Sequence, residues 1–244
     1  DVKGQMHVKR ALEIAATGGH NILMVGPPGS GKTMMASRLV TVLPKLAFEE
    51  AIETTRIYST SSLLSRDKYI MYKRPFRAPH HTISEVGLVG GGKYPKPGEV
   101  SLAHNGVLFL DELPEFKRGA LETLRQPLEN RNMTITRSMM TLTFPASFML
   151  VCSMNPCPCG YLGDSKKKCS CSEREIANYR SKISGPLLDR IDIHVDVPSL
   201  NYDEIMSKSD GELSCKIRER VEKGRAIQQE RFKDMRIYTN AEIP

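Results

Sequence analysis

Short apolar runs alternate with stretches of helical spacing along the chain. Ile22-Leu23-Met24-Val25, Val107-Leu108-Phe109-Leu110 and Ser147-Phe148-Met149-Leu150-Val151-Cys152 have the length and continuity of strands buried on both faces. Residues 193–197 alternate as a fourth strand. Residues 6–17 place Val8, Leu12, Ala15 and Ala16 at helical spacing before a Gly18-Gly19 stop. Residues 34–43 repeat that period through Met35, Ala36, Leu39, Val40 and Leu43. After Pro44, residues 54–58 read as another short strand. Residues 117–128 read as a helix ended by Pro127, and residues 133–144 as a hairpin turning at Arg137-Ser138-Met139-Met140. Residues 212–232 read as a long charged helix with a sparse stripe of Leu213, Ile217, Val221 and Ile227. Strands alternating with helices predict an α/β fold, a parallel sheet core flanked by helices. Residues 59–106 break the pattern with turn formers, among them Gly90-Gly91-Gly92-Lys93 and Pro95-Lys96-Pro97-Gly98, and a loop this long is usually functional.

The first strand delivers Gly26-Pro27-Pro28-Gly29-Ser30-Gly31-Lys32-Thr33, which fits G-x-x-x-x-G-K-[ST] at every fixed position and opens the 34–43 helix. Strand, glycine loop, helix is the order a phosphate cradle requires. Backbone N–H groups converge on phosphate at a helix N-terminus, the Lys32 ammonium reaches the β- and γ-oxygens, and Thr33 is placed for Mg²⁺. The strand at 107–110 then delivers Asp111-Glu112. There an acidic residue binds Mg²⁺ and a second carboxylate orients or deprotonates water. Asn155 follows the third strand, at the sheet edge where α/β proteins bind ligands, and its amide suits a water held against the γ-phosphate.

Composition adds an anionic partner and removes the membrane. Of 244 residues, 40% are hydrophobic and 26% charged, ordinary for a soluble domain, and no apolar run approaches the roughly 20 residues of a membrane span. With no signal peptide, the chain reads as cytoplasmic. The net charge of +7 favours an anionic partner but suits a merely soluble basic surface as well. Beginning at Asp1 and ending where a new helix would start, the sequence reads as a piece of a longer protein. Four of the six cysteines form C-x-C-x₉-C-x-C at Cys157, Cys159, Cys169 and Cys171, with Lys166-Lys167-Lys168 between the pairs. Four thiolates on a short loop suit tetrahedral Zn²⁺; reduced free thiols fit the spacing equally. Cys152 reads as core. The His80-His81 pair reads as part of a packed, hydrogen-bonded loop, with ligation as the alternative.

Three strings carry a specific resemblance: Pro75-Phe76-Arg77-Ala78-Pro79-His80-His81, residues 97–112 ending in Asp111-Glu112, and Asn155-Pro156-Cys157-Pro158-Cys159-Gly160. With Leu188-Asp189-Arg190 downstream, the chain resembles an AAA+ P-loop ATPase over nearly its whole length. Within that class it is similar to the magnesium-chelatase-like branch and, inside it, the bacterial ComM (YifB) family. The resemblance implies a nucleotide-binding core over 1–200, with loop and β-hairpin insertions near 77–104 and 131–145 that face a ring pore. It also implies the start of a helical lid at 201–244.

The resemblance also assigns roles. Val2, Gly4 and Gln5 match the segment that lies against adenine, Lys32 and Thr33 the first nucleotide motif, and Asp111 and Glu112 the second. Asn155 matches the first sensor. Arg190 matches an arginine finger serving the neighbouring subunit of a homo-oligomeric, hexameric ring; its own neighbours would also allow a local ion pair with Asp189 or Asp192. Lys93, Lys96, Arg131 and Arg137 are the cations the insertions could present to DNA, or simply solvated surface. The implied activity is Mg²⁺-dependent hydrolysis of ATP to ADP by a DNA motor, a branch-migrating helicase of natural transformation. The alternative is the ATPase subunit of magnesium chelatase, which drives metal insertion into a porphyrin. A third reading, a non-hydrolysing scaffold, is disfavoured by Glu112 and Arg190, which binding alone does not need.

Overall fold

The apolar runs become the core strands, and the helices between them are fixed mainly by which residues they bury. The structure is a computed structural model that describes residues 2, 4–64, 69–92, 94–137, 140–199, 211–235 and 237–243. In chain order the first elements are α1 (Met6–Gly18), β1 (Ile22–Val25), α2 (Lys32–Leu39), α3 (Phe48–Thr60), β2 (Phe76–Arg77), α4 (Glu85–Val89), β3 (Gly90–Gly91) and β4 (Lys96–Pro97). Next come α5 (Glu99–Leu102), β5 (Val107–Leu110), α6 (Arg118–Glu122), α7 (Arg125–Asn130), β6 (Asn132–Arg137), β7 (Met140–Pro145) and β8 (Met149–Met154). The series ends with α8 (Glu173–Arg180), α9 (Gly185–Leu188), β9 (Ile193–Asp196) and α10 (Ser214–Arg231). The main sheet is parallel, in the order β2-β5-β8-β1-β9, with the helices as crossovers. Among the described residues no helix is long and apolar enough to cross a membrane. The chain divides into two compact units, one of Asp1–Pro44, Val151–Ser181 and Ile191–Pro244, the other of Lys45–Leu150 and Lys182–Arg190.

In the first unit β1 sits between two parallel partners, Ile22 opposite Val151 and Ile193, which is why its run is apolar without alternation. Helix α1 buries Val8, Leu12, Ala15 and Ala16 and stops at Gly19, whose left-handed backbone sends its N–H to the Ala15 carbonyl. The expected stripe of α10 is buried only in part: Val221 is fully buried as expected and Ile217 is half-buried, but Leu213 and Ile227 are exposed, and the polar Gln228 is buried. Polar contacts add to the burial of Val221. Arg220 pairs with Glu13 at 2.7 Å, while Arg225 and Gln228 donate to the Ala16 and Thr17 carbonyls, which the end of α1 leaves without helical partners.

In the second unit residues 54–58 are helical, not a strand. Ala51, Thr54, Ile57 and Tyr58 are the buried positions of α3, a 3.6-residue stripe that outweighs the β-branched composition, and Glu50 accepts the Ala47 N–H at 2.8 Å to start the helix. The 117–128 helix is two pieces. Pro127 in a continuous helix would collide with the turn before it, so the chain breaks at Thr123-Leu124 and restarts with Pro127 in the first turn of α7. The third strand also begins two residues later than expected, so that Asn155 directly follows its end.

The 77–104 insertion is folded, with α4, the β3–β4 ladder and α5 burying Leu88, Val89, Val100 and Leu102. A two-pronged ion pair at 2.6 and 2.7 Å joins Arg77 to Glu99. The β6–β7 hairpin has the expected register, Thr134 opposite Thr143, and its Ile135 reaches so close to Gly90 that a Cβ there would stand 2.7 Å from Ile135 Cδ1. The two insertions therefore pack on each other.

His104 anchors this unit. It is buried, its Nδ1 accepts the Ser147 N–H at 3.1 Å, and its Nε2 faces Glu53 at 3.2 Å. Burial holds its pKa below the ordinary 6.5, against the opposing pull of Glu53. A depressed histidine pKa means the neutral ring favours the fold, so its contribution is complete above about pH 6.5 and is lost as pH falls through the folded value. Thermal midpoints measured from pH 7.5 to 5 should fall more steeply for the native chain than for His104→Gln; parallel curves would remove His104 from the acid transition.

Candidate functional site

The glycine loop leaves β1 with Gly26 donating its N–H to the Met154 carbonyl at 3.1 Å. A side chain at Gly26 would meet the Val197 carbonyl at 2.1 Å, so only glycine lets the loop start between two strand ends. Gly29 and Gly31 have φ of +77° and +89°, and α2 begins at Lys32. Lys32 is buried to 8% exposure, its ammonium donating to the Gly26 and Pro27 carbonyls at 2.7 and 2.9 Å, with Asn155 Oδ1 at 3.4 Å. The first-motif lysine and the sensor amide are thus brought together.

Gln5, assigned to an adenine-facing segment, also braces the phosphate loop. Its backbone is left-handed, and its Nε2 donates to the Ser30 and Pro198 carbonyls at 3.0 and 2.9 Å. Val2 is half-buried and Gly4 lies in the left-handed turn beside Gln5. The residues present fit a phosphate group. Ser30 Oγ is buried without a hydrogen-bond partner, nothing lies within 4 Å of where a Cβ on Gly29 would stand, and Thr33 is exposed at the head of α2.

Asp111 and Glu112 belong to the second unit, at the end of fully buried β5. Asp111 Oδ1 accepts the Glu112 N–H at 3.1 Å. Glu112 is left-handed at φ 54°, a conformation that costs a non-glycine residue about 1–3 kcal/mol and collects at functional positions. Its carboxylate faces His81 Nδ1 at 3.4 Å, and the His81 ring lies against His80 with centroids 4.0 Å apart and planes tilted by 34°. Sequence spacing gave no sign of this pair, because His81 and Glu112 lie on different elements; the only clue was that both sit in the strings that carry the family resemblance.

Arg190 donates to the Pro186 carbonyl at 2.7 Å and pairs with Glu129. Asp192, one of the two aspartates beside it in sequence, accepts the Asn21 N–H at 3.0 Å. Of the four cations assigned to DNA, Lys96 and Arg131 are exposed on the two insertions, Lys93 lies outside the described residues, and Arg137 ends β6 with its side chain outside them.

The four cysteine sulfurs converge to within 4.8 Å of one another. Cys157 Sγ lies 3.4 Å from Cys159 Sγ and 3.6 Å from Cys169 Sγ. Backbone N–H groups of Ser170 and Tyr161 hold the Cys159 thiol down to about 5, while within the same cluster the thiols of Cys169 and Cys171 are pushed up, that of Cys171 to about 12. Cys152 is core as expected, burial pushing its thiol up.

Residues 1–205 match the family described as magnesium chelatase, subunit ChlI. The competence protein ComM of Haemophilus influenzae is 49% identical over 99% of this chain and 47% of its own length. YifB of Escherichia coli is 48% identical over 91% of this chain and 43% of its own. The 38 kDa magnesium-chelatase subunit of Rhodobacter capsulatus is 26% identical over 64% of this chain and 49% of its own. The chain thus spans about half the length of the curated relatives it matches. Among solved structures, NtrX of Brucella abortus in complex with ADP has a TM-score of 0.52 at 18% identity, over 81% of this chain and 37% of that one, a likeness of fold.

Proposed function

Because this chain belongs to the magnesium chelatase ChlI-subunit family of AAA+ ATPases, beside ComM and YifB, we propose that it is the ATP-hydrolysing part of a ring-forming motor that acts on DNA. The observation that carries the nucleotide half is the buried Lys32 ammonium at the head of α2, with the Asn155 amide 3.4 Å away. In this reading the loop N–H groups and Lys32 bind the β- and γ-phosphates, and Val2, Gly4 and Gln5 border the base. Thr33 and Asp111 hold Mg²⁺, which neutralises charge on the phosphates. Glu112 orients and deprotonates the attacking water, with Asn155 fixing its position. Arg190 acts on the ATP of the next subunit in a hexamer, where a guanidinium stabilises the transferring phosphoryl group. It exchanges the Glu129 carboxylate for that phosphate on assembly. Zn²⁺ on the cysteine quartet completes the cofactor set.

Residues 1–200 form the nucleotide-binding core and 201–244 begin the lid. The packed insertions, with Lys96, Arg131 and the cations at 93 and 137, face DNA in the pore, and the protein works in the cytoplasm. The DNA assignment rests on the identity with the competence protein ComM, whose family resemblance implies branch migration during natural transformation. The identity with the Rhodobacter subunit supports metal insertion into a porphyrin as the second reading.

One comparison separates the two readings: ATPase rate of the whole protein alone, with single-stranded DNA, with branched DNA, and with the chelatase partner subunits and porphyrin. Stimulation by DNA and none by the chelatase partners is the expected result; the reverse pattern would transfer the protein to the second reading.

A further inference from the structure

The cysteine quartet begins beside the phosphate loop. Asn155, the amide beside Lys32, is followed by Pro156 and then Cys157, so the first sulfur pair starts two residues beyond the nucleotide site. Gly160 closes the turn with its N–H on the Cys157 carbonyl at 3.0 Å and a φ of +87°. A Cβ on Gly160 would stand 2.6 Å from Pro28 Cδ and 2.9 Å from Pro28 Cγ, so the turn lies directly against the phosphate loop. The second pair leads into Ser172, which caps α8, and Arg180 at the end of that helix returns to donate to the Pro156 carbonyl at 3.4 Å.

We propose that Cys157, Cys159, Cys169 and Cys171 hold one Zn²⁺, and that this ion seats the Gly160 turn on Pro28 so that metal loading and nucleotide binding are coupled. The coupling rests on the nucleotide reading of the loop; the metal site does not.

Tetrahedral Zn–S bonds of about 2.3 Å place sulfurs about 3.8 Å apart. Here Cys157–Cys159, Cys157–Cys169 and Cys159–Cys169 are separated by 3.4, 3.6 and 3.6 Å. The N–H groups of Cys159 and Cys171 donate to Cys171 Sγ and Cys169 Sγ at 3.3 and 3.4 Å, outer bonds that orient thiolate ligands. The connecting loop is pinned rather than loose. Asp164 accepts the Lys166 and Lys167 N–H groups at 2.6 and 3.2 Å and the Ser199 hydroxyl at 2.7 Å. Lys166, Lys167 and Lys168 stand between the ligand pairs, where their charge offsets the net negative charge of a zinc tetrathiolate. No disulfide joins the two pairs, so a shared ion would be the strongest link between them and its loss would loosen the turn that packs on Pro28.

Two measurements on the chain as purified test this. Elemental analysis should give about one Zn per chain. Calorimetric titration with Mg-ADP, before and after an organomercurial strips the metal, should show affinity falling by about 5–150-fold, the usual range of coupling between sites, with saturating Mg-ADP tightening zinc against a competing chelator by the same factor. Gly160→Ala, which keeps all four ligands, should retain the zinc and lose nucleotide affinity. Absence of zinc would overturn the site, and equal ADP affinity with and without the ion would overturn the coupling. A zinc-loaded chain that binds no ADP would refute the phosphate-loop reading and the coupling with it, while the ion count would still confirm the metal site.

Discussion

Lys32→Ala is expected to weaken ATP binding by about 10²-fold or more while leaving the fold in place. In the proposed site the ammonium would make at least two charge-assisted hydrogen bonds to phosphate, each worth about 1.5–3 kcal/mol, and the lost charge adds to that. Stability falls less. The ammonium now serves the Gly26 and Pro27 carbonyls at 2.7 and 2.9 Å, and leaving them short of a donor costs about 1–3 kcal/mol, which for a chain of this size lowers the thermal midpoint by about 2–4 °C per kcal/mol. Calorimetric titration with ATP alongside a thermal melt separates the two effects. A variant that melts near the native temperature yet binds ATP undiminished would take Lys32 out of the phosphate contact.

The features that could be read in the sequence were those whose chemistry is written in adjacent residues. The phosphate loop, the apolar run of β5 before Asp111-Glu112, and the β8 run before Asn155 each combine a buried strand with the group it carries, and parallel sheets make such runs continuous. Helix α3 was misread as a strand because Thr54, Thr55 and Ile57 favour strands locally, whereas what decides is that Ala51, Thr54, Ile57 and Tyr58 share one buried face. Helix α10 is legible only in part: Val221 of its apolar stripe is buried, but its other anchors are Arg220, Arg225 and Gln228 on α1, a polar docking that hydropathy does not register. Pairs between distant segments were not legible. His81 with Glu112, Arg190 with Glu129, and Gln5 with the Ser30 carbonyl depend on tertiary placement, and no local pattern encodes them. The cysteine spacing leaves zinc and free thiols equal, and the convergence of the four sulfurs within 4.8 Å depends on the folding of the loop between the pairs, which spacing does not encode.

Glu112→Gln is expected to leave ATP binding intact and to lower turnover by about 10²–10⁴-fold, the range a positioned general base supplies. The amide matches the carboxylate in size, so the left-handed turn at φ 54° and the contact with His81 persist while the ability to take a proton from water is lost. Binding by Lys32 and the loop should be untouched, because the proposed role of Glu112 is on the water and not on the phosphates. Nucleotide titration and single-turnover hydrolysis on the same preparation give the two quantities. Loss of both would mean that the substitution disturbed the site rather than the chemistry. Unchanged turnover would move the base elsewhere, with Asp111 and His81 as the ionisable neighbours to examine. Retained binding with lost turnover also has a consequence for assembly. A ring that binds ATP but cannot cleave it keeps its γ-phosphates in place, so Arg190 would find its target across each interface and the variant should hold its oligomer more firmly than the native protein does.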